Sequence, residues 1–278
     1  MNRKTEVHVN GLMKICILNG WKDYLFIIVL VFINCKIFQS RVVGYGEAIG
    51  EPLQIKMGDY LFDLYKGIEP YIQTLGSESF KIPGIWSFYY IFFLCIQALA
   101  FARCYQRSQQ FLLRYVTRKK WWQLLNRILI CNVILIYILT YVTIFIFCIC
   151  LNVKFGWPNG KVQWLLNQLE LQGIQHYEML IYGVLLPVLA TILLTYVQYI
   201  ITLFWNNLMG VVFGVVLLVG SCFFCYHGLL GNYMMIIRNQ YLLSAKSDII
   251  ISILVCLGGS VICAQIGKKR IEILDFYS

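Results

Sequence analysis

Charged side chains are scarce in this chain, 13% of its 278 residues, where an ordinary soluble domain carries about a quarter. That shortage excludes a water-soluble globule, because apolar residues make up 60% of the sequence and a folded domain of this size must present much of its surface to water. Acids are scarcer still, 13 against 23 lysines and arginines, for a net charge of +10. A basic excess gathered on one soluble face would point to nucleic acid. Here the basic residues fall between apolar runs, so they mark orientation in a membrane, and no nucleic-acid partner is expected.

The chemistry of an enzyme is lacking too. Only three histidines occur, His8, His176 and His227, and they are scattered. No His-Glu-x-x-His pair could hold zinc, and no G-x-x-x-x-G-K-[ST] loop could cradle a nucleotide. Glu170 and Glu178 stand eight positions apart with no acidic partner at depth, and Asp23 and Asp248 sit at span ends. No enzyme, cofactor or metal site is therefore expected. Cysteine is plentiful at 11, but a disulfide framework is not. Cys35, Cys95, Cys131, Cys148, Cys150, Cys222, Cys225, Cys256 and Cys263 lie in or beside apolar runs, as small apolar side chains do. Cys222-Phe-Phe-Cys225 has metal-like spacing but no second pair to complete four ligands.

What the chain does have is long apolar runs. Six are long enough for a helix to cross a hydrocarbon core, which takes about 20 residues: 21–38, 85–102, 128–151, 179–204, 208–226 and 249–266. The first carries Asn34 and Lys36 near its far end, where Lys36 can snorkel to the headgroups. Arg3, Lys4, Lys14 and Lys22 lie on one side, with Arg103, Arg107, Arg114, Arg118, Lys119, Lys120, Lys268, Lys269 and Arg270. The loop 39–84 on the other side carries Glu47, Glu51, Asp59, Asp63, Glu69 and Glu78. The positive-inside bias then places both termini in the cytoplasm. The expected fold is an all-α membrane protein, a single transmembrane domain of six spans, with residues 1–20 as an interfacial segment on the inner surface. A three-residue turn at 205–207 joins spans four and five as a tight hairpin. Residues 227–247 are moderately apolar yet hold Asn232, Arg238, Asn239 and Gln240. They read as a re-entrant element, which is allowed only where protein covers its backbone.

Two groups of candidate site residues stand out. Gln97, Asn132 and Gln198 are polar side chains inside spans, suited either to a pathway or to hydrogen bonds between helices. The second group lies in the cytoplasmic region 103–123, which is strongly basic, lacks any acid before Gln123, and interleaves apolar residues at helical spacing. Phe111, Leu112 and Tyr115 would share one face of a short helix, and Arg107, Arg114 and Arg118 another. Such a helix suits a cytosolic protein partner or anionic lipid at the inner leaflet.

The stretch Leu113-Arg114-Tyr115-Val116-Thr117-Arg118-Lys119-Lys120-Trp121-Trp122, placed after the second of six spans, resembles one found in a known family. It is similar to the permease subunit of type-2 ABC exporters, in the small six-span form of low-GC Gram-positive bacteria. The resemblance implies a bacterial cytoplasmic membrane, a separate cytosolic ABC ATPase as partner, and a second permease, identical or homologous, to complete a dimer. It implies that 111–118 is a coupling helix docked in a groove of the ATPase, with Arg107, Phe111, Leu112, Arg114, Tyr115 and Arg118 in contact. It also implies that 228–246 is the re-entrant element before the last span. The basic tail Lys268-Lys269-Arg270-Ile271-Glu272-Ile273-Leu274 is similar to the ends of such chains, while the loop 39–84 is longer than their minimal form. The cargo expected for a pathway of apolar and aromatic side chains is amphipathic, a peptide or a lipid-like molecule. The alternative from a different class is a membrane-embedded immunity, sensor or scaffold protein that transports nothing.

Overall fold

The computed structural model describes residues 20–70, 82–112, 117–167, 176–242 and 246–273, so the interfacial segment expected over 1–20 lies almost wholly outside the described residues. Among them the chain is helical: α1 (Trp21–Ile49), α2 (Met57–Tyr65), α3 (Gly84–Leu112), α4 (Arg118–Cys150), α5 (Gly160–Asn167) and α6 (His176–Leu180). A π-helical turn (Ile181–Leu185) leads into α7 (Leu186–Phe204), followed by α8 (Asn207–Phe223), a 3-10 turn (Leu230–Met234), α9 (Ile236–Leu242) and α10 (Lys246–Ile273). Five stretches are long and apolar enough to cross a membrane: Trp21–Ile49, Gly84–Tyr105, Arg118–Cys150, Tyr177–Phe204 and Asp248–Ile273. The apolar helix α8 is shorter, at 17 residues. The protein is an all-α, multi-pass membrane protein.

Named contacts give the helix directions. Gln97 of α3 bonds Asn132 of α4 while Tyr89 pairs with Thr140, so these two helices run antiparallel. Tyr24 of α1 meets Asn132 and Phe32 meets Phe147, so α1 and α4 run parallel. Trp122 of α4 bonds the Ala264 carbonyl of α10, and Arg118 reaches that of Glu272, again antiparallel. The bundle therefore has two ends. One holds Asp23, Arg103 and Arg118 and is the basic end. The other, the capped end, is covered by the short helices.

Several boundaries differ from the sequence expectation, for physical reasons. The helix expected over 21–38 runs on to Ile49, because a helix propagates one hydrogen bond per residue once nucleated and does not stop where apolar side chains stop. It ends at Gly50, whose φ of 74° takes the left-handed conformation and whose N–H bonds back to Glu47. The segment 39–84 is thus partly helix, and α2 lies within it. The third long helix starts at Arg118, ahead of the span expected from 128, and the last, Lys246–Ile273, extends past both ends of the span expected over 249–266.

Lipid-facing and protein-facing surfaces separate as they do in a bilayer. Leu254, Val261 and Ile262 of α10 are exposed, as are Phe32, Ile33 and Ile37 of α1. The packed interior is aromatic. Tyr60 of α2 lies edge-on to both Phe38 and Phe147, and Tyr65 packs among Tyr89, Tyr90 and Tyr137, so α2 plugs the capped end of the bundle.

Candidate functional site

Three polar regions lie along the bundle, and they differ in kind. The middle region is neutral. Tyr24 donates to Asn132 Oδ1 at 2.5 Å, Asn132 Nδ2 donates to Gln97 Oε1 at 3.0 Å, and Tyr199 donates to Gln97 as well. Gln198 Nε2 donates to the Leu94 carbonyl at 2.9 Å. Gln97, Asn132 and Gln198 are all buried, and each ties one long helix to another. That is the role such side chains take between membrane helices, where each bond contributes about 1 kcal/mol. Nearer the capped end, Tyr90 pairs with Tyr137, whose hydroxyl also meets Thr191.

At the basic end the expected site residues divide. Phe111 and Leu112 close α3, which also carries the backbone of Arg107, and Arg118 opens α4. Of the short helix expected over 111–118, the first two residues end one long helix and Arg118 begins the next, while 113–116 lie outside the described residues. Arg114 and Tyr115 lie outside the described residues, as do the side chains of Arg107, Phe111 and Leu112. Arg118 Nη1 donates to the Glu272 carbonyl at 2.7 Å, and Trp122 Nε1 donates to the Ala264 carbonyl at 2.8 Å. Trp122 packs so closely on Gly267 that a Cβ there would meet its ring at 2.3 Å, so only glycine allows this approach. Arg103 pairs with Asp23 at 2.6 Å, and Arg270 lies over the Phe204 ring. Between the end of α3 and the α7–α8 turn opens a cavity of ≈ 300 Å³, lined by residues that include Phe101, Tyr105, Trp205 and Asn207.

The capped end holds what sequence reasoning missed. Asp59, fully buried, accepts from the backbone N–H groups of Lys56 and Asn159 and from Gln163 Nε2, each at 2.8 Å. Its carboxyl is raised to about 6, because burial outweighs those hydrogen bonds. The chain of contacts runs on from Gln163 to Asn167 and from Asn167 to the Lys66 ammonium. Arg41, beyond the apolar part of α1, pairs with buried Asp63 at 2.5 Å. Burial raises the Asp63 carboxyl, opposed by Arg41, and lowers the Lys66 ammonium.

Arg238 is the most unusual residue of this region. It is fully buried and donates to three backbone carbonyls, Ile68 at 2.6 Å, Glu69 at 2.9 Å and Cys222 at 2.8 Å. One guanidinium thereby joins the segment after α2 to the end of α8 and to α9. Residues 230–239 are buried throughout, with Trp86 Nε1 donating to the Met234 carbonyl. A signal for these residues was present in the sequence. Asp59 and Asp63 are spaced i, i+4 among Tyr60, Phe62, Leu64 and Tyr65, and Arg238 is a single cation in an apolar run.

A cleft of ≈ 620 Å³ opens beside this network, lined by Arg41, Asp63, Lys66, Glu69 and Asn167 on its polar side and by Ile85, Trp86, Leu166 and Ile237 on its apolar side. Among the described residues no cluster of histidine, cysteine or carboxylate side chains could hold a metal. Comparison with protein-family models, with curated proteins and with solved structures finds no match for this chain.

Proposed function

We propose that this protein is the membrane-spanning permease subunit of an ATP-driven exporter of the type-2 ABC class, working as a dimer with separate cytosolic ATPases. In this reading α8 is the sixth crossing, both chain ends and the basic end face the cytoplasm of a bacterial cell, and the capped end faces outward. The protein supplies a pathway and no bond chemistry, and the cargo is amphipathic.

The observation that carries the reading is the link from the acid-free basic stretch to the last long helix. Residues 103–122 hold six arginines and lysines and no acid, a composition suited to an acidic groove on a soluble partner. The first turn of α4 in that stretch is clamped to α10 through Arg118, Trp122 and the close approach at Gly267. A push on the start of α4 by a closing ATPase therefore moves α4 and α10 together. Rigid-body movement of packed helices between two arrangements is how such a load becomes a change of access. Two further features support the reading: the short helical pair 230–242 before the last helix, buried over 230–239, and the small cavity beside the end of α3.

Co-purification tests it. With wild type, mild-detergent extraction of cells that also express the neighbouring genes brings down a cytosolic ATPase whose hydrolysis depends on this subunit. Replacing Phe111 and Tyr115 with Ala removes two aromatic anchors, about 1–3 kcal/mol each at a buried interface, and releases the ATPase while the protein still inserts. Unchanged association and unchanged stimulated hydrolysis in the double variant would remove the coupling role and favour a non-transporting immunity, sensor or scaffold protein.

A further inference from the structure

The cleft at the capped end has an inventory of unused hydrogen-bonding groups. Lys66 donates one hydrogen bond, to Asn167 Oδ1 at 3.0 Å, and has no carboxylate within ion-pair distance among the described residues. Two of its N–H groups remain for another acceptor. Arg41 uses one nitrogen on Asp63 and leaves Nε buried without a partner. Asp63, whose side chain is 1% exposed, leaves Oδ2 without a donor. Buried groups of this kind are normally satisfied, each unmet one costing about 1–3 kcal/mol. Their complement is a molecule with an anionic acceptor for Lys66 and Arg41 and, next to it, an N–H or O–H for Asp63.

The depth of the cleft selects the source of that molecule. Arg41 stands three residues beyond Phe38, where the apolar part of α1 ends, which is about 4.5 Å along the helix axis. Trp86, on the apolar wall, is in the first turn of the next membrane-crossing helix. The headgroup zone adds about 5–8 Å on each side of the hydrocarbon core, so a span that leaves the core at Phe38 puts Arg41 at the depth of lipid phosphates. The other wall, Ile85, Trp86 and Ile237, is apolar.

We propose that this cleft binds the headgroup of a membrane phospholipid whose phosphate meets Lys66 and Arg41 and whose hydroxyl or ammonium donates to Asp63. Phosphatidylglycerol and phosphatidylethanolamine meet this requirement. Phosphatidylcholine has the phosphate but no donor. The inference depends on the membrane-crossing helices and not on transport, so it stands or falls separately from the exporter reading.

The full-length chain, purified in mild detergent and mixed with the three lipids at matched acyl chains, is analysed by native mass spectrometry. Phosphatidylglycerol and phosphatidylethanolamine are retained about tenfold more tightly than phosphatidylcholine, the size of one charge-assisted hydrogen bond. Lys66→Gln lowers retention of the first two about tenfold, while Lys161→Gln, at the exposed Glu51 pair of the same cap, leaves it unchanged. Equal retention of all three lipids by wild type overturns the proposal without recourse to a variant, as does unaltered binding in Lys66→Gln. Displacement of the lipid by an equal concentration of glycerol phosphate would show a site for soluble anions. Displacement by an amphipathic peptide would show a peptide site, and either result overturns the lipid assignment.

Discussion

The two ends of this bundle treat charge in opposite ways. At the capped end Asp59, Asp63 and Arg238 are buried: Asp59 and Arg238 are met largely by backbone groups, most of them far away in the chain, and Asp63 by the Arg41 guanidinium. At the basic end Lys119, Lys120, Arg127 and Lys269 are exposed. A buried charge must be satisfied where it stands, so it fixes the segments around it. An exposed one is solvated, contributes little to the fold and remains available to a partner. The capped end is thus built as structure and the basic end as surface.

The sharpest way to break this comparison is at Arg238. Arg238→Met keeps much of the apolar length but removes the donors from three buried carbonyls at once. The expected loss is about 3–5 kcal/mol, the range for breaking a buried charged network. It is read as a lower unfolding temperature and faster amide hydrogen exchange over 230–242. Stability within about 0.5 kcal/mol of wild type would mean that the cap does not depend on this guanidinium.

A smaller effect is expected from pH. The Asp59 carboxyl lies at about 6 in the folded protein against 3.8 ordinarily, so it binds its proton more tightly folded than unfolded. Between about pH 4 and pH 6 the folded state holds the extra proton, and stability falls as pH rises through that window. The contribution is on the order of 2–3 kcal/mol from one end of the window to the other. Asp59→Asn removes this slope, and thermal unfolding between pH 4 and pH 7 in both proteins measures it. A wild-type slope that survives in Asp59→Asn would assign the dependence to another group, Asp63 first.

The smallest effect belongs to the basic end. Replacing Lys119 and Lys120 together with Ala changes stability by less than about 0.5 kcal/mol, because both side chains are exposed. If the same variant lost as much stability as Arg238→Met, the division between structure and surface would fail.

Legibility in the sequence followed the same division. The long helices were readable because the bilayer imposes a run of about 20 apolar residues on each. Their true ends were not, since Gln39, Ser40 and Arg41 leave the hydrocarbon while the backbone keeps its helix as far as Ile49. Gln97, Asn132 and Gln198 were visible as polar residues within spans, but only packing shows that each bonds a neighbouring helix. The cap was the least legible part. Asp59 meets Asn159 and Gln163, about a hundred residues away, and Arg238 meets Ile68, 170 residues away. No local periodicity records such a pairing. Arg114 and Tyr115 remain as sequence expectations, outside the described residues.

The shortness of α8 has a consequence for the lipid around it. Its 17 residues rise only about 25 Å, less than the ~30 Å thickness of a typical hydrocarbon core. If α8 crosses, as proposed above, the surrounding leaflets must thin on that flank, or the chain beyond it must cover the deficit. Phe224 and Tyr226, both exposed, extend the apolar surface a little past the helix end before His227. Each ångström of mismatch costs a fraction of a kcal/mol, so the protein would favour thin membrane and deform a thick one locally. Reconstitution into bilayers of increasing acyl length therefore has an optimum on the short side, set by this one helix.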